Sequence, residues 1–297
     1  MSLLWGSQRT QVHMGTLISV TVDDQNLSDE VFSLFGDLDQ KLSTYKKDSE
    51  ISRLNRELEF NVSEVTRVIL ERSLDMNRLS DGAFDVTIGA VTHHAYRFGY
   101  DNEHLPSVSA LKKAEKSVGS YRMTMEGNRA KVLEETVIDL GGIGKGYAVD
   151  LAIDKLQHHG VTKAVVAASG DIGCLGECVV AIQDPFHPSG HIATVVSKFP
   201  RFAISTSGNY ERYIKNKRHN HLIDPKTGQS QQRYASITLI DTEDNTRIDA
   251  LATAVAVMEE KKAIAMLRKL NIAYILIRTD GTMIKSTMPE GILIKYN

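Results

Sequence analysis

Cysteine is almost absent from this chain of 297 residues: the only two, Cys174 and Cys178, can form one bridge at most. That excludes a disulfide scaffold, so the fold must rest on its core. Their CLGEC spacing also falls short of the about four ligands of a structural zinc site, and both read as packing residues. Proline is scarce, 6 residues against 21 glycines, which argues against disordered or collagen-like chains. An excess of one charge sign is missing too. With 35 basic and 37 acidic residues the formal charge is -2, leaving no electrostatic footprint for nucleic acid. No window reaches the ~18 apolar residues of a transmembrane helix. The first ten residues lack the basic start and apolar run of a secretory signal, and Met1, Ser2 and Leu3 are open to being an appended remnant. The chain therefore reads as soluble, with its compartment left open. What remains is ordinary globular composition, 42% hydrophobic and 24% charged, long enough for one large or two modest domains at ~100–200 residues each.

Alternation of Ile18, Val20 and Val22 predicts a strand, and Val31, Leu34, Phe35, Leu38 and Leu42 mark the buried face of a helix that Ser28 can cap. A second helix spans 64–79 and stops at Ser80-Asp81-Gly82. Ser107 starts a short third helix, with Gly119 placed as its left-handed terminator. A hairpin turns at Glu126-Gly127-Asn128. The glycine cluster 141–146 leads into a helix ending near Gly160, followed by a strand at 164–168. The stretch 179–240 reads mostly as strands and loops, then come helices at 248–258 and 261–270 and a hairpin across Asp280-Gly281. Mixed order without steady alternation predicts α+β, one integrated domain over 1–297 with two lobes, rather than a doubly wound sheet.

Three constellations can carry chemistry. The cluster Gly141-Gly142-Ile143-Gly144-Lys145-Gly146 exposes backbone N–H groups ahead of a helix, as an anion site would. It fits neither the phosphate loop, which needs Ser or Thr after Gly-Lys, nor the dinucleotide fingerprint, which needs glycine where Tyr147 stands. A tight strand-to-helix turn explains it as well. Asp249 and Thr253 share one helix face and offer the hard oxygens that suit magnesium. An acid near a helix start and a threonine bonded back to its own helix are the plainer reading. Histidines are scattered. His93-His94 and His158-His159 are uninformative pairs, and His221 precedes a Pro-Gly turn where functional groups and structural histidines both occur.

Taken in order, these segments resemble the ApbE family of flavin transferases. The matching stretches are Met14-Gly15-Thr16, Ser43-Thr44-Tyr45, Ser49 to Asn55, Gly82 to Thr87, Asp139 to Tyr147, Ser169 to Ile172, Ser205 to Tyr210, His221 to Gly228 and Asp249 to Ala254. The family moves FMN from FAD onto a threonine of a partner protein. The resemblance implies that Asp249, Thr253 and a carbonyl near Gly142 bind Mg²⁺. It also implies that Met14, Tyr45, Ala83, Phe84, Asp85, Asp139 and Lys145 contact FAD. Val86, Ser169 and Asn209 depart from the family pattern without removing a metal ligand. Acceptors implied by the family are flavin-bearing redox subunits, such as those of sodium-pumping NADH:quinone reductases. Its members mostly work in the bacterial periplasm or as lipid-anchored proteins of the inner membrane.

The reaction so implied is phosphoryl transfer, with His221 nominated to take the threonine proton. The nearest rival is a metal-dependent FAD pyrophosphatase that uses water and releases free FMN. A second is a protein that binds FAD without turnover.

Overall fold

The computed structural model describes residues 6–297, so Met1, Ser2 and Leu3 lie outside the described residues. Strands β1 (Ser7–His13) and β2 (Thr16–Val22) form an antiparallel hairpin. Its turn holds Gly15 at φ +71° and Met14, which lacks glycine's freedom, at φ +51°. Helix α1 (Gln25–Leu42) buries Val31, Phe35, Leu38 and Leu42, the face the spacing predicts. Its cap is not Ser28. Asp24 accepts the Asn26 N–H at 2.8 Å, so the helix begins earlier and Ser28 is buried inside it. Ser49 caps α2 (Glu50–Glu57), whose Ile51 and Leu54 are buried. Strand β3 (Glu59–Asn61) follows, then α3 (Glu64–Leu79), ending where Asp81 and Gly82 turn left-handed.

A π-helical turn spans Ala90–Tyr96, and Ser107 caps α4 (Val108–Glu115). Gly119 does not terminate that helix, which has already ended; at φ +145° it opens a short 3₁₀ turn instead. Strands β4 (Met123–Glu126) and β5 (Arg129–Val132) form the expected hairpin. The glycine cluster runs into α5 (Gly144–His158). Then come β6 (Ala164–Ala168), β7 (Asp171–Leu175), β8 (Cys178–Gln183), β9 (His191–Ser197), β10 (Arg201–Gly208) and β11 (Tyr234–Asp241). The chain closes with α6 (Asn245–Val257), α7 (Glu260–Lys269), β12 (Ala273–Arg278), β13 (Met283–Lys285) and β14 (Ile292–Tyr296).

An eight-stranded sheet, ordered β1-β2-β6-β7-β10-β11-β12-β13, organises the molecule, with three-stranded sheets β14-β9-β8 and β3-β5-β4 beside it. Every strand ladder among the described residues is antiparallel, so the α+β reading holds. Period-two alternation splits the large sheet between two cores. On β11 and β12, Leu239, Tyr274 and Leu276 face α6 and α7, while Ile240, Ile275 and Ile277 face the sheet of β8, β9 and β14. Cys174 and Cys178 are not free packing thiols: they are bonded to each other across the turn from β7 to β8. Both are buried, so each still contributes to the core.

Helices α5 and α6 cross closely and are stapled. Asp150 of α5 accepts the backbone N–H groups of Asn245 and Thr246 at 3.0 and 2.7 Å, and the Thr246 hydroxyl at 2.5 Å. A carboxylate from one helix thus satisfies orphan donors at the N-terminus of the next. Gly146 makes this approach possible, because a Cβ there would lie 2.4 Å from the Asn245 carbonyl oxygen.

Candidate active site

The strap from Val137 to Ile143 is fixed from two sides. Asn55 of α2 both accepts the Ile138 N–H (2.7 Å) and donates to the Ile138 carbonyl (3.0 Å), as a neighbouring strand would. The Asp139 N–H then donates to the Val86 carbonyl at 2.7 Å. Asp139 is thereby held at the junction of α2, the 83–87 loop and the start of α5. Its carboxylate accepts the Gly141 N–H (2.8 Å) on one oxygen, and on the other the Thr92 hydroxyl (2.6 Å) with His93 Nε2 at 3.2 Å. Burial alone would raise the Asp139 pKa. The positive potential of His93 and the bonds from His93, Thr92 and Gly141 outweigh it, holding the carboxyl well below its usual range.

The loop carrying Ala83, Phe84 and Asp85 is buried and internally bonded. Asp85 accepts the Thr87 N–H at 2.8 Å, the Thr87 hydroxyl at 2.6 Å and the Asn77 amide at 3.1 Å. Its carboxylate is therefore committed to shaping the loop, and burial pushes its pKa up against those bonds. Phe84 lies over Gly142, where a Cβ would sit 3.3 Å from its ring, and Met14 reaches within 3.7 Å of the equivalent point at Gly144. Tyr45 is half exposed, donates its hydroxyl to the Phe98 carbonyl at 2.9 Å and meets the His93 ring edge-on at 5.1 Å.

One helical turn separates Asp249 from Thr253 on α6, and both face the glycine turn. A Cβ on Gly142 would lie 2.8 Å from the Thr253 hydroxyl, and one on Gly146 would lie 2.8 Å from Asp249 Cβ, so both residues pack against the glycine turn. Lys145 is drawn into the same place, its Nζ 3.0 Å from Asp171 Oδ2 and 3.6 Å from Asp249 Oδ2. Asp249 also accepts the Gly146 N–H at 3.0 Å, and Asp171 accepts the Ser205 hydroxyl at 2.6 Å. Two buried carboxylates thus share one ammonium. Burial first, then the charge of Asp171, pushes the Asp249 pKa up to about 7 against the pull of Lys145. Burial would lower the Lys145 pKa, but the two aspartates raise it instead. Surplus negative charge beside a hydroxyl and a backbone turn is a hard-oxygen donor set that fits Mg²⁺. Among the described residues no group of three or more His, Cys, Asp or Glu side chains forms a metal site, so the fit rests on this mixed set.

His221 stands on the ribbon after β10. Its Nδ1 and backbone N each lie 3.1 Å from the Arg212 carbonyl oxygen. A carbonyl only accepts, so Nδ1 carries the proton and Nε2 keeps its lone pair. Burial, with repulsion from Arg212 and Lys145, lowers the His221 pKa to about 4 against the Arg212 bond and the charge of Asp139. The imidazole is neutral at pH 7.

The ApbE family model matches residues 14–276. The chain belongs to the ApbE family. Among its relatives, the FAD:protein FMN transferase of Haemophilus influenzae is 32% identical over 291 residues, 91% of this chain and 84% of that protein. The protein of the same name from Vibrio cholerae is 32% identical, covering 87% of this chain and 81% of that one. Solved structures agree. The flavin transferase ApbE from Vibrio cholerae superposes with a TM-score of 0.82 at 28% identity, covering 94% of this chain and 96% of that chain. The ApbE protein from Thermotoga maritima gives 0.85 at 25%, covering 95% and 97%.

Within this ApbE fold, sequence reasoning missed several residues of the site. Asp171 lies in the segment Ser169 to Ile172, a visible signal without an assigned role. Asn55 ends the stretch Ser49 to Asn55, likewise without an assigned role, and Arg212 acts through its backbone carbonyl, which no motif announces. Thr92 and His93 come from the π turn, and the adjacent histidines gave no hint that His93 is buried while His94 is exposed.

Proposed function

We propose that this chain is a Mg²⁺-dependent flavin transferase that moves FMN from FAD onto a threonine hydroxyl of a target flavoprotein and releases AMP. The names of its relatives support the reaction class. One arrangement carries the reading: Lys145 between two buried aspartates, one of which pairs with Thr253 on the helix face that meets the glycine turn. Asp249, Thr253 and the Gly142 carbonyl would hold Mg²⁺, which when bound supplies charge neutralisation for a diphosphate.

The rest falls to the protein's own groups. His221 Nε2 accepts the threonine proton as the hydroxyl oxygen attacks the phosphorus on the FMN side. An O–P bond forms, the diphosphate bridge breaks, and AMP leaves with the bonding electrons. Lys145 offsets phosphate charge, while Met14, Phe84 and Tyr45 offer apolar and aromatic surface for flat rings. Asp139 offers a permanently ionised acceptor. The described residues act here as one unit, because α2, the 83–87 loop, α5 and α6 all furnish the site. Acceptors are flavin-bearing redox subunits such as those of sodium-pumping NADH:quinone reductases, as the family resemblance implies. A periplasmic or inner-membrane-anchored location is what the family resemblance implies. No helix among the described residues is long and apolar enough to cross a membrane.

Incubation with FAD, Mg²⁺ and a candidate acceptor, read by intact mass, tests the reading. The acceptor should gain one FMN while AMP appears. Free FMN and AMP without a modified acceptor would establish the pyrophosphatase, and FAD binding with neither product a carrier.

A further inference from the structure

His93 is the buried titratable group that the reaction above does not use. It is 4% exposed, yet it lies in the wall of the site rather than in a hydrophobic core. Its Nε2 is 3.2 Å from Asp139 Oδ2 and 3.1 Å from the Thr44 hydroxyl, while its ring meets Tyr45 at 5.1 Å and Tyr100 at 6.0 Å, both edge-on. Thr44 and Tyr45 follow α1, Asp139 precedes α5, and Tyr100 follows the π turn. One imidazole therefore ties together three separate segments of the candidate FAD pocket.

Two features set this apart from a core histidine. The first is the orphaned nitrogen: His93 Nδ1 is buried with no hydrogen-bond partner. An unsatisfied buried polar atom costs stability, and an apolar ring of similar size would avoid that cost. The second is the local backbone. In the π turn the successive residues Thr92 and His93 both reach the same oxygen of Asp139. π-helical segments such as this one are rare and are frequently found at functional sites.

We infer that His93 is a positioning residue for FAD, orienting the Asp139 carboxylate through Nε2 and bracing the Tyr45 ring that closes the same pocket. The inference rests on the FAD reading above, because it assigns Asp139 and Tyr45 to that ligand. Asp139 can only accept, so what His93 offers it is the Nε2 side of the ring, 3.2 Å from Oδ2 and itself hydrogen-bonded to the Thr44 hydroxyl. Without that contact the Thr92 hydroxyl alone restrains this oxygen, and the carboxylate, still held at its other oxygen by the Gly141 N–H, is less firmly oriented.

Three variants separate positioning from packing. His93→Phe keeps an aromatic ring against Tyr45 and Tyr100 but loses the Nε2 donor. His93→Gln lacks the ring but places an amide N–H near the Nε2 position. His93→Ala loses both. FAD affinity by fluorescence titration, the flavin absorption difference spectrum on binding, and thermal midpoint are measured for each and for wild type. The Phe variant should melt at or above the wild-type temperature yet bind FAD about 10-fold more weakly or worse, the scale of one lost charge-assisted hydrogen bond. Gln should recover most of the affinity and the wild-type spectrum, and Ala should lose affinity at least as far as Phe. Wild-type affinity in a folded Phe variant would overturn the inference. So would a joint fall of melting temperature and affinity in Phe that Gln does not repair, which is the behaviour of a packing residue. Failure of wild type itself to bind FAD would sink the functional reading and this inference with it, a result distinct from wild-type binding that the variants leave unchanged.

Discussion

Gly146→Ala should act as a wedge between the two helices that carry the site. The added Cβ would sit 2.4 Å from the Asn245 carbonyl oxygen and 2.8 Å from Asp249 Cβ. Ordinary contact begins near ~3.4 Å, so α5 and α6 must separate by up to about 1 Å. Neither can yield alone, because Asp150 fastens the start of α6 to α5 through the Asn245 and Thr246 N–H groups. Overpacking costs ~1–3 kcal/mol, and stretching that clamp puts this case at the upper end. At ~2–4 °C per kcal/mol for chains of this size class, the thermal midpoint should fall by about 6–12 °C. The shift also carries Asp249 and Thr253 away from Gly142, so the Mg²⁺ concentration needed for half-maximal transfer should rise. Gly36→Ala in α1 is the matched control: nothing meets its Cβ closer than 3.7 Å, and an alanine within a helix gains up to ~1 kcal/mol over glycine. The same substitution should destabilise at one position and stabilise at the other. A Gly146→Ala protein with wild-type melting and wild-type Mg²⁺ dependence would refute the crossing argument.

The remaining predictions concern the charges. Asp249 has a folded pKa of about 7, above its unfolded value, so without metal its contribution to stability is present below pH ~4 and lost as pH rises to about 7. Mg²⁺ should therefore raise the melting temperature more at pH 8 than at pH 5, and Asp249→Ala should abolish both that response and transfer; a thermal-shift series across pH checks it. Lys145→Ala should weaken FAD binding, most at low ionic strength, and cost ~3–5 kcal/mol by leaving two buried carboxylates unpaired; unchanged affinity in a low-salt titration would return Lys145 to a structural role. His221→Ala should slow single-turnover transfer by ~10²–10⁴ while FAD still binds, and should lack the limb along which the wild-type rate falls as pH drops through about 4.

Elements with a strong local signal were legible in the sequence. Helix α3 needs only its apolar spacing, and α4 its Ser107 cap, because each depends on residues within a turn or two. Strands β7 and β10 were not. They lie in the middle of the large sheet, and their Gly, Ser and Thr positions are fixed by partners far along the chain, such as Ser205 opposite Asp171. Ser28 failed as a cap because Asp24 serves equally well one turn earlier. In the site, Asp249, Thr253 and Gly142 could be named from their segments, but their adjacency comes from the α5–α6 crossing. Nothing local to Lys145 foretells that Asp171 shares it with Asp249. The shift of His221 well below the ordinary histidine range is likewise a property of the assembled pocket, and it leaves the proposed base neutral near pH 7.

The charge balance of the site ties metal and flavin together. Asp171 and Asp249 outnumber Lys145 in a place where each carboxylate is only 2% exposed, an arrangement that an apolar replacement would stabilise. A diphosphate brought to the same spot adds more negative charge, so ligand and protein would repel one another unless a further cation entered. Lys145 cannot meet that need, because it is already engaged by the aspartates. A divalent ion on Asp249 and Thr253 would relieve the carboxylates and the diphosphate at once, and would leave the Lys145 ammonium able to swing toward the phosphates. On the proposed function the surplus negative charge is a half-site, unfavourable by itself, that metal and FAD would balance together, so that the binding of each would favour the other.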